Sequence, residues 1–318
     1  MILSASRRTD IPCHYSEWFM NRIQAGYVLV RNPMNPAQIS KIPLSPGDVD
    51  CIVFWTKDAA NMLDKLEVLD GMGYRYYFQF TITPYDPSVE KGLRGKTGIE
   101  DTFIRLSRAI GKSRVLWRYD PIVFNDTLSI PYHKEQFARM CEKLCGYTES
   151  VTISFVDMYA KLKAPLLREA GEDEIAELAA FIGEQARACG LAAKACCEKI
   201  DLSPYGIAKA SCIDQGVIER ICGAPLKVKA DKNQREGCGC CESIDIGAYG
   251  TCKTGCIYCY ASHSAMSAKN SGNRHDPAGE LLMGELREGE KPVCRKVGSN
   301  QITQQSLFTN RHNLHDFY

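Results

Sequence analysis

The stretch Ser243-Ile-Asp-Ile-Gly-Ala-Tyr249-Gly-Thr-Cys252-Lys-Thr-Gly-Cys256-Ile-Tyr-Cys259 reads as a short strand running into a Gly/Thr-rich loop that carries three cysteines. Ala261-Ser-His-Ser-Ala-Met-Ser-Ala268 then has the composition to begin a helix. Strand, loop and helix make a βα unit, with the thiols at the carboxyl end of the strand, where α/β folds carry their chemistry. Three thiolates spaced by three and then two residues can bind three irons of one cubane cluster. No fourth cysteine follows at a matching distance, so one iron would keep an open coordination position. A metal with three protein ligands and a vacancy is built to bind substrate, whereas a closed four-ligand site is usually structural.

Upstream of this unit, apolar β-rich runs alternate with amphipathic stretches. Strands are expected at 1–6, 27–31, 49–55, 74–83, 114–119, 151–155, 191–197 and 244–249. Several lack polar alternation, as parallel strands covered on both faces do. Helices are expected at 59–69, 98–110, 134–144 and 173–189. In the second of these, Ile99, Phe103, Leu106 and Ile110 form one stripe at helical spacing. Eight strands with helical crossovers predict an α/β fold, either a (β/α)8 TIM-type barrel or a partial, opened one. That barrel would occupy 1–260, with a cysteine-rich insertion at about 200–242 and the cluster loop at 250–260. Residues 261–318 would add a terminal helix and an irregular tail, in which Asp276-Pro-Ala-Gly279 is a turn signal.

Composition is globular, with 45% hydrophobic and 24% charged residues in 318. A net charge of +1 gives no global field to recruit nucleic acid or an anionic membrane, so neither is an expected partner. No apolar run reaches the length of a membrane helix, and the N-terminus lacks the pattern of a signal peptide. The expectation is a cytoplasmic protein. In that reducing compartment, sixteen cysteines read as metal or redox chemistry rather than disulfides.

Cys252, Cys256, Tyr258 and Cys259 match CxxxCxΦC with an aromatic at Φ, and the loop thereby resembles the radical S-adenosylmethionine (SAM) superfamily. The resemblance implies a [4Fe–4S] cluster whose open iron chelates the amino and carboxylate groups of SAM. It implies one-electron cleavage to a 5′-deoxyadenosyl radical, which takes hydrogen from a small-molecule or other substrate. It also implies a reductant such as flavodoxin or ferredoxin, and places Tyr258 against the adenine. One departure is that the superfamily's motif usually follows the first strand, whereas this one sits near the C-terminus. Arg7-Arg-Thr-Asp10-Ile-Pro, Phe54-Trp-Thr-Lys57, Trp117-Arg-Tyr-Asp-Pro121 and Cys238-x-Cys240 before the signature resemble a bacterial family of unknown function with such a C-terminal cluster. That likeness spans most of the chain and lends no substrate.

In a closed barrel the last strand pairs with the first, so a motif after the eighth strand lies beside the loop Arg7-Arg8-Thr9-Asp10. The chain then reads as a circularly permuted radical SAM barrel, a rearrangement that close termini permit. The Gly-Gly-Glu stretch that the superfamily often uses to hold the methionine ammonium does not occur. Asp10 is the candidate for that ammonium, with Arg7 or Arg8 on the carboxylate. The alternative is that Asp10 caps the next helix.

Cys197, Cys212, Cys238 and Cys240, which resemble cysteines of the unknown-function family, are candidates for a closed second site, either a second [4Fe–4S] cluster or zinc. Cys196 and Cys241 adjoin these ligands, and exchange within either pair is open. Cys13, Cys51, Cys141, Cys145 and Cys189 read as ordinary buried thiols. Cys141 and Cys145 are one helical turn apart but show no partner nearby in sequence. Barrel catalysis uses polar strand ends, which makes Lys57, Arg118 and Asp120 the catalytic candidates. Arg118 and Asp120 share a side of their strand and would pair. His263 reads as a surface residue, and the basic run from Lys227 to Arg235 as a solvated loop. The competing class is a non-catalytic iron–sulfur electron carrier or a zinc-binding module. A zinc module normally shows two C-x-x-C-like pairs, and here only Cys256 and Cys259 form one.

Overall fold

The unbroken apolar runs are covered on both faces, because the strands they form are parallel and packed from each side. The computed structural model describes residues 1–157, 167–235, 237–261 and 275–302. In chain order the elements are β1 (Ile2–Ala5), α1 (Ile11–His14), α2 (Ser16–Ala25), β2 (Tyr27–Arg31), β3 (Ile39–Pro43) and β4 (Cys51–Thr56). There follow α3 (Leu66–Gly71), β5 (Tyr76–Thr81), α4 (Lys96–Ile110), β6 (Val115–Ile122), α5 (Ile130–Leu144) and β7 (Ser150–Phe155). The remainder are α6 (Glu172–Ala188), β8 (Ala192–Ala195), β9 (Ala208–Lys209), α7 (Gln215–Cys222), β10 (Ile244–Asp245) and β11 (Val293–Cys294).

Eight strands make one parallel sheet in the order β10-β1-β4-β5-β6-β7-β8-β9. Among the described residues its edges, β10 and β9, are not paired with each other, so the hydrogen-bonded sheet is open. Alternate side chains separate its faces. Leu3, Phe54, Phe78, Trp117 and Val151 meet the helical layer, where Phe54 stacks on Phe78 at 4.7 Å and Trp117 on Phe137 of α5 at 5.4 Å. The stripe Ile99, Phe103, Leu106 and Ile110 of α4 is buried in the same core. Ile2, Val53, Tyr77 and Leu116 face the other way and pack on Val217 and Ile218 of α7. The insertion at 200–242 is therefore less irregular than expected: it contributes β9 and the helix that fills the inner face.

One strand expectation needs correction. Residues 27–31 do form a strand, but it lies outside the parallel sheet, antiparallel to β3 in a small sheet with β11. The reason lies in the connection. A parallel crossover takes a dozen or more residues, whereas Asn32-Pro-Met-Asn-Pro folds straight back. There the Asn32 Oδ1 accepts from the Met34 amide at 2.9 Å and the Asn32 amide donates to Gln38 O at 2.9 Å. The eighth place in the main sheet goes to β9, a two-residue Ala-Lys strand with no apolar signature. Residues 59–69 form a 3-10 segment, Ala60–Lys65, that runs into α3.

The tail from 275 packs against the molecule. Its Asp276–Gly279 turn forms as expected, with Gly279 N donating to Asp276 O at 3.0 Å. Gly279 O accepts from Trp18 Nε1 at 2.9 Å, Ala278 O accepts from Arg22 at 3.0 Å, and Leu281 packs on Leu29 and Ile39. Residues 262–268 of the expected helix, His263 among them, lie outside the described residues. Among the described residues, no helix is long and apolar enough to cross a membrane.

Candidate functional site

β10 enters the sheet beside β1, with Leu3 opposite Ile244 and Ser4 opposite Asp245. Asp245 fastens the loop after β1: its Oδ2 accepts from Ser4 Oγ at 3.0 Å and from the Arg7 amide at 2.8 Å, and its Oδ1 accepts from Ser6 Oγ at 2.5 Å. The chain then passes so close to this loop that a Cβ on Gly247 would meet Ser6 Oγ at 2.1 Å, so glycine is required there.

The cysteine loop that follows is pinned from three directions. Gly250 N donates to Ala261 O at 2.8 Å and closes it. From α1 and its flank, Tyr15 Oη donates to Thr251 O at 2.5 Å and His14 Nε2 meets Thr254 Oγ1 at 2.9 Å. From the segment after β5, Gly92 N donates to Thr254 O at 2.7 Å, and Ile257 N donates to Val89 O at 3.0 Å. From the loop after β1, Arg7 O accepts from Tyr260 Oη at 3.0 Å.

Glu90 is the hub beneath the loop. Its buried carboxylate accepts from Lys57 Nζ at 2.8 Å, from Thr83 Oγ1 at 2.8 Å, from Lys96 Nζ and from Tyr258 Oη. Burial alone would raise this carboxyl, but the Lys57 and Lys96 ammonium groups outweigh it and hold it down to about 2. Lys57 is raised because Glu90 outweighs its burial, whereas at Lys96 burial wins and lowers it. Lys57 Nζ also stands 5.4 Å from the centre of the Tyr258 ring. Burial pushes the Cys256 thiol up, and the nearby Lys57 charge opposes it; burial and then Asp10 raise Cys252. Lys57 thereby favours the Cys256 thiolate, the form that a metal would require.

Asp10 caps α1: its Oδ1 accepts from the Cys13 amide at 2.9 Å and its Oδ2 from the Lys57 amide at 2.7 Å. Burial pushes its carboxyl up to about 7 against those two bonds. Arg8 turns back to Gly247 O at 3.4 Å and lies over the Tyr249 ring. Arg7 lies over Trp55 at 5.6 Å, donates to Ser243 Oγ at 3.3 Å, and keeps its buried Nε without a partner. Trp55 Nε1 is likewise buried and unpartnered. Such orphan donors call for an acceptor from a ligand or water.

Arg118 and Asp120 pair as their shared strand side predicts, with Arg118 Nε 3.0 Å from Asp120 Oδ1. Arg118 also lies over Trp55 at 5.3 Å and places one Nη 2.9 Å from Cys212 Sγ. Cys212 belongs to a string of thiols. Its Sγ is 3.3 Å from that of Cys196 and interacts with Cys240, whose Sγ accepts from the Ile213 amide at 3.4 Å. Cys196 interacts in turn with Cys197, and Cys197 with Cys238. Against the bond from Cys197, the bond with Cys212 and burial push the Cys196 thiol up to about 12. The four expected cysteines of this set are thus joined by Cys196, which sits between Cys197 and Cys212. The sharp turn that separates the neighbours is visible in the backbone, since Cys197 has a φ of +55°. Cys189, at the end of α6, interacts with both Cys141 and Cys145, a partner that sequence distance concealed.

Among the described residues, no three His, Cys, Asp or Glu side chains stand close enough to share one metal ion. A single zinc, with Zn–S bonds of ~2.3 Å, would need its thiolates about 4 Å apart. A cubane sets them further apart, because each thiolate binds a different iron. The donor chemistry at Cys252, Cys256 and Cys259 fits the iron–sulfur group: three soft ligands on one pinned loop, a neighbouring ammonium, and orphan donors at the same end of the sheet.

The family model described as Domain of unknown function (DUF1848) matches residues 2–261. No curated protein and no solved structure matches the chain.

Proposed function

The chain belongs to the DUF1848 family of domains of unknown function, and we propose that it is an iron–sulfur enzyme of the radical SAM type. One observation carries this reading. The parallel pairing of β10 with β1 puts the Cys252-Cys256-Cys259 loop at the carboxyl end of the sheet, beside Arg7 and Lys57. β10 also stands at the edge, in the position that the first strand of a permuted partial barrel would take. A [4Fe–4S] cluster with SAM bound there would supply one-electron reductive cleavage of SAM and a 5′-deoxyadenosyl radical for hydrogen abstraction.

The chain's own residues would do the rest. Cys252, Cys256 and Cys259 would hold the cluster as thiolates, and Lys57 would offset their charge. Glu90 fixes the Tyr258 ring by accepting its hydroxyl proton in a hydrogen bond, which leaves the ring face to lie against the adenine. The unpartnered Nε of Arg7 is available to a ligand carboxylate, and Asp10, whose oxygens each accept one backbone amide, keeps acceptor capacity for the ligand ammonium. Arg118, Asp120 and Trp55 line the same end of the inner face and are the substrate-contact candidates. The thiol string from Cys238 through Cys197, Cys196 and Cys212 to Cys240 is the candidate for the second cluster or zinc.

Iron, acid-labile sulfide and zinc per chain, on protein purified without oxygen, test the reading. About four irons with matching sulfide support one cluster, and about eight support two. After chemical reduction, SAM should give 5′-deoxyadenosine, and the Cys256→Ala variant should give none. Iron near zero after reconstitution, with zinc bound instead, would move the protein to the zinc-module class.

A further inference from the structure

We infer that the amino end of the sheet carries a separate binding site for a small molecule bearing a di- or triphosphate. A cleft of about 450 Å3 opens there. Arg75 stands immediately before β5, Arg114 immediately before β6 and Glu149 immediately before β7, while α7 supplies the facing wall with Val217, Arg220 and Ile221. Three guanidiniums therefore converge from three elements on one cleft, against a single carboxylate.

Several arginines elsewhere are neutralised by a carboxylate. Arg31, Arg94, Arg118, Arg139 and Arg168 each have a carboxylate partner within 3.0 Å. Among the described residues, Arg75, Arg114 and Arg220, like Arg22, Arg105, Arg108, Arg187, Arg287 and Arg295, form no salt bridge. Arg114 is also held in place: its Nε donates to Ile110 O at 2.6 Å and its guanidinium lies over the Tyr76 ring at 5.3 Å. That leaves its terminal nitrogens to a ligand. The chain's net charge is only +1, so this is a local concentration of charge and not a property of the whole surface.

The guanidinium fork matches phosphate oxygens in pairs, and three forks suit a diphosphate better than a single monoanion. Val217 and Ile221, one turn apart on α7, give an apolar wall for the remainder of the ligand. The volume lies in the range of small-molecule sites, roughly 300–1,000 Å3. A nucleoside diphosphate has this combination of parts. The site is independent of the reading proposed for the cysteine loop, which lies at the carboxyl end of the strands.

Calorimetric titration of the full chain with ADP in physiological salt tests the inference, with inorganic pyrophosphate and adenosine as comparison probes. The expected result is one ADP per chain, competition by pyrophosphate and no binding of adenosine. The double variant Arg75→Gln/Arg220→Gln should weaken ADP about tenfold or more, since it removes two forks, and Glu149→Gln should tighten it. Both arginines are exposed, so an unchanged melting temperature without ligand will show that the variant is folded. Arg114→Gln, which removes one fork, provides a second variant with a smaller loss in the same direction. No ADP binding at millimolar concentration, or ADP binding that the arginine variants leave unchanged, would overturn the assignment.

Discussion

Replacing Glu90 by Gln keeps the shape of the hub beneath the cysteine loop and removes its charge. The carboxylate side chain is fully buried, and the Lys57 and Lys96 side chains that face it are 15% and 22% exposed. Breaking a buried ion pair from one side costs about 3–5 kcal/mol, because the partner charge is left without compensation. Here two ammonium groups lose one shared partner, but both reach some solvent, so we expect a loss of about 3 kcal/mol at neutral pH. Lys96→Met should cost much less, since Glu90 keeps Lys57. The double variant should be more stable than the two losses predict by about 1 kcal/mol or more, as contacting charges couple. Urea unfolding under anaerobic conditions, followed by tryptophan fluorescence, gives each free energy with a common slope. A Glu90→Gln loss below about 1 kcal/mol, with the cycle additive, would mean that Glu90 is not the ionised centre of this network.

Further outcomes follow from other positions. Gly92→Ala would put a Cβ 2.5 Å from Lys253 O and 2.9 Å from Thr254 O, so the cysteine loop must shift; iron per chain should fall clearly, with a stability loss of about 1–3 kcal/mol. His133 is buried and neutral, with Tyr119 Oη donating to its Nδ1 at 3.0 Å and its Nε2 donating to Val123 O at 2.9 Å, and burial lowers its pKa from 6.5 to about 4. The unfolded chain then binds a proton that the folded chain refuses, so stability should fall by up to roughly 3 kcal/mol between pH 6.5 and 4. His133→Gln should reduce that slope in unfolding experiments, while His14, also lowered to about 4 by burial, keeps a contribution of the same sign. Cys196→Ser should lower metal content at the second thiol set as much as Cys212→Ser does, and full retention in Cys196→Ser where Cys212→Ser loses metal would remove Cys196 from that set.

Sequence reveals what is local. The apolar runs at 49–55, 74–83 and 114–119 announce central parallel strands because both of their faces are buried. The run at 27–31 looks the same, since burial leaves the same signature in a side sheet; only Asn32-Pro-Met-Asn-Pro betrays the hairpin. β9 leaves no trace, because two residues hydrogen-bonded through their backbone need no particular side chains. Spacing singled out the cysteine loop, but Glu90 lies 168 residues away from Tyr258, and no local pattern connects them. The choice between Cys196 and Cys197 depends on a single left-handed residue. Cys189 meets Cys141 and Cys145 only because α5 packs on α6.

The family match ends at residue 261, yet the tail beyond it is built into the body. Trp18 and Arg22 are buried, and their side-chain nitrogens donate to carbonyls at 278 and 279. β11 adds a strand to β3, and Leu281 covers Leu29. An expression fragment trimmed to the family boundary would expose these apolar groups and leave two donors without acceptors. The cooperative unit is therefore longer than the unit that sequence comparison delimits, and recombinant work should keep the chain at least to residue 302.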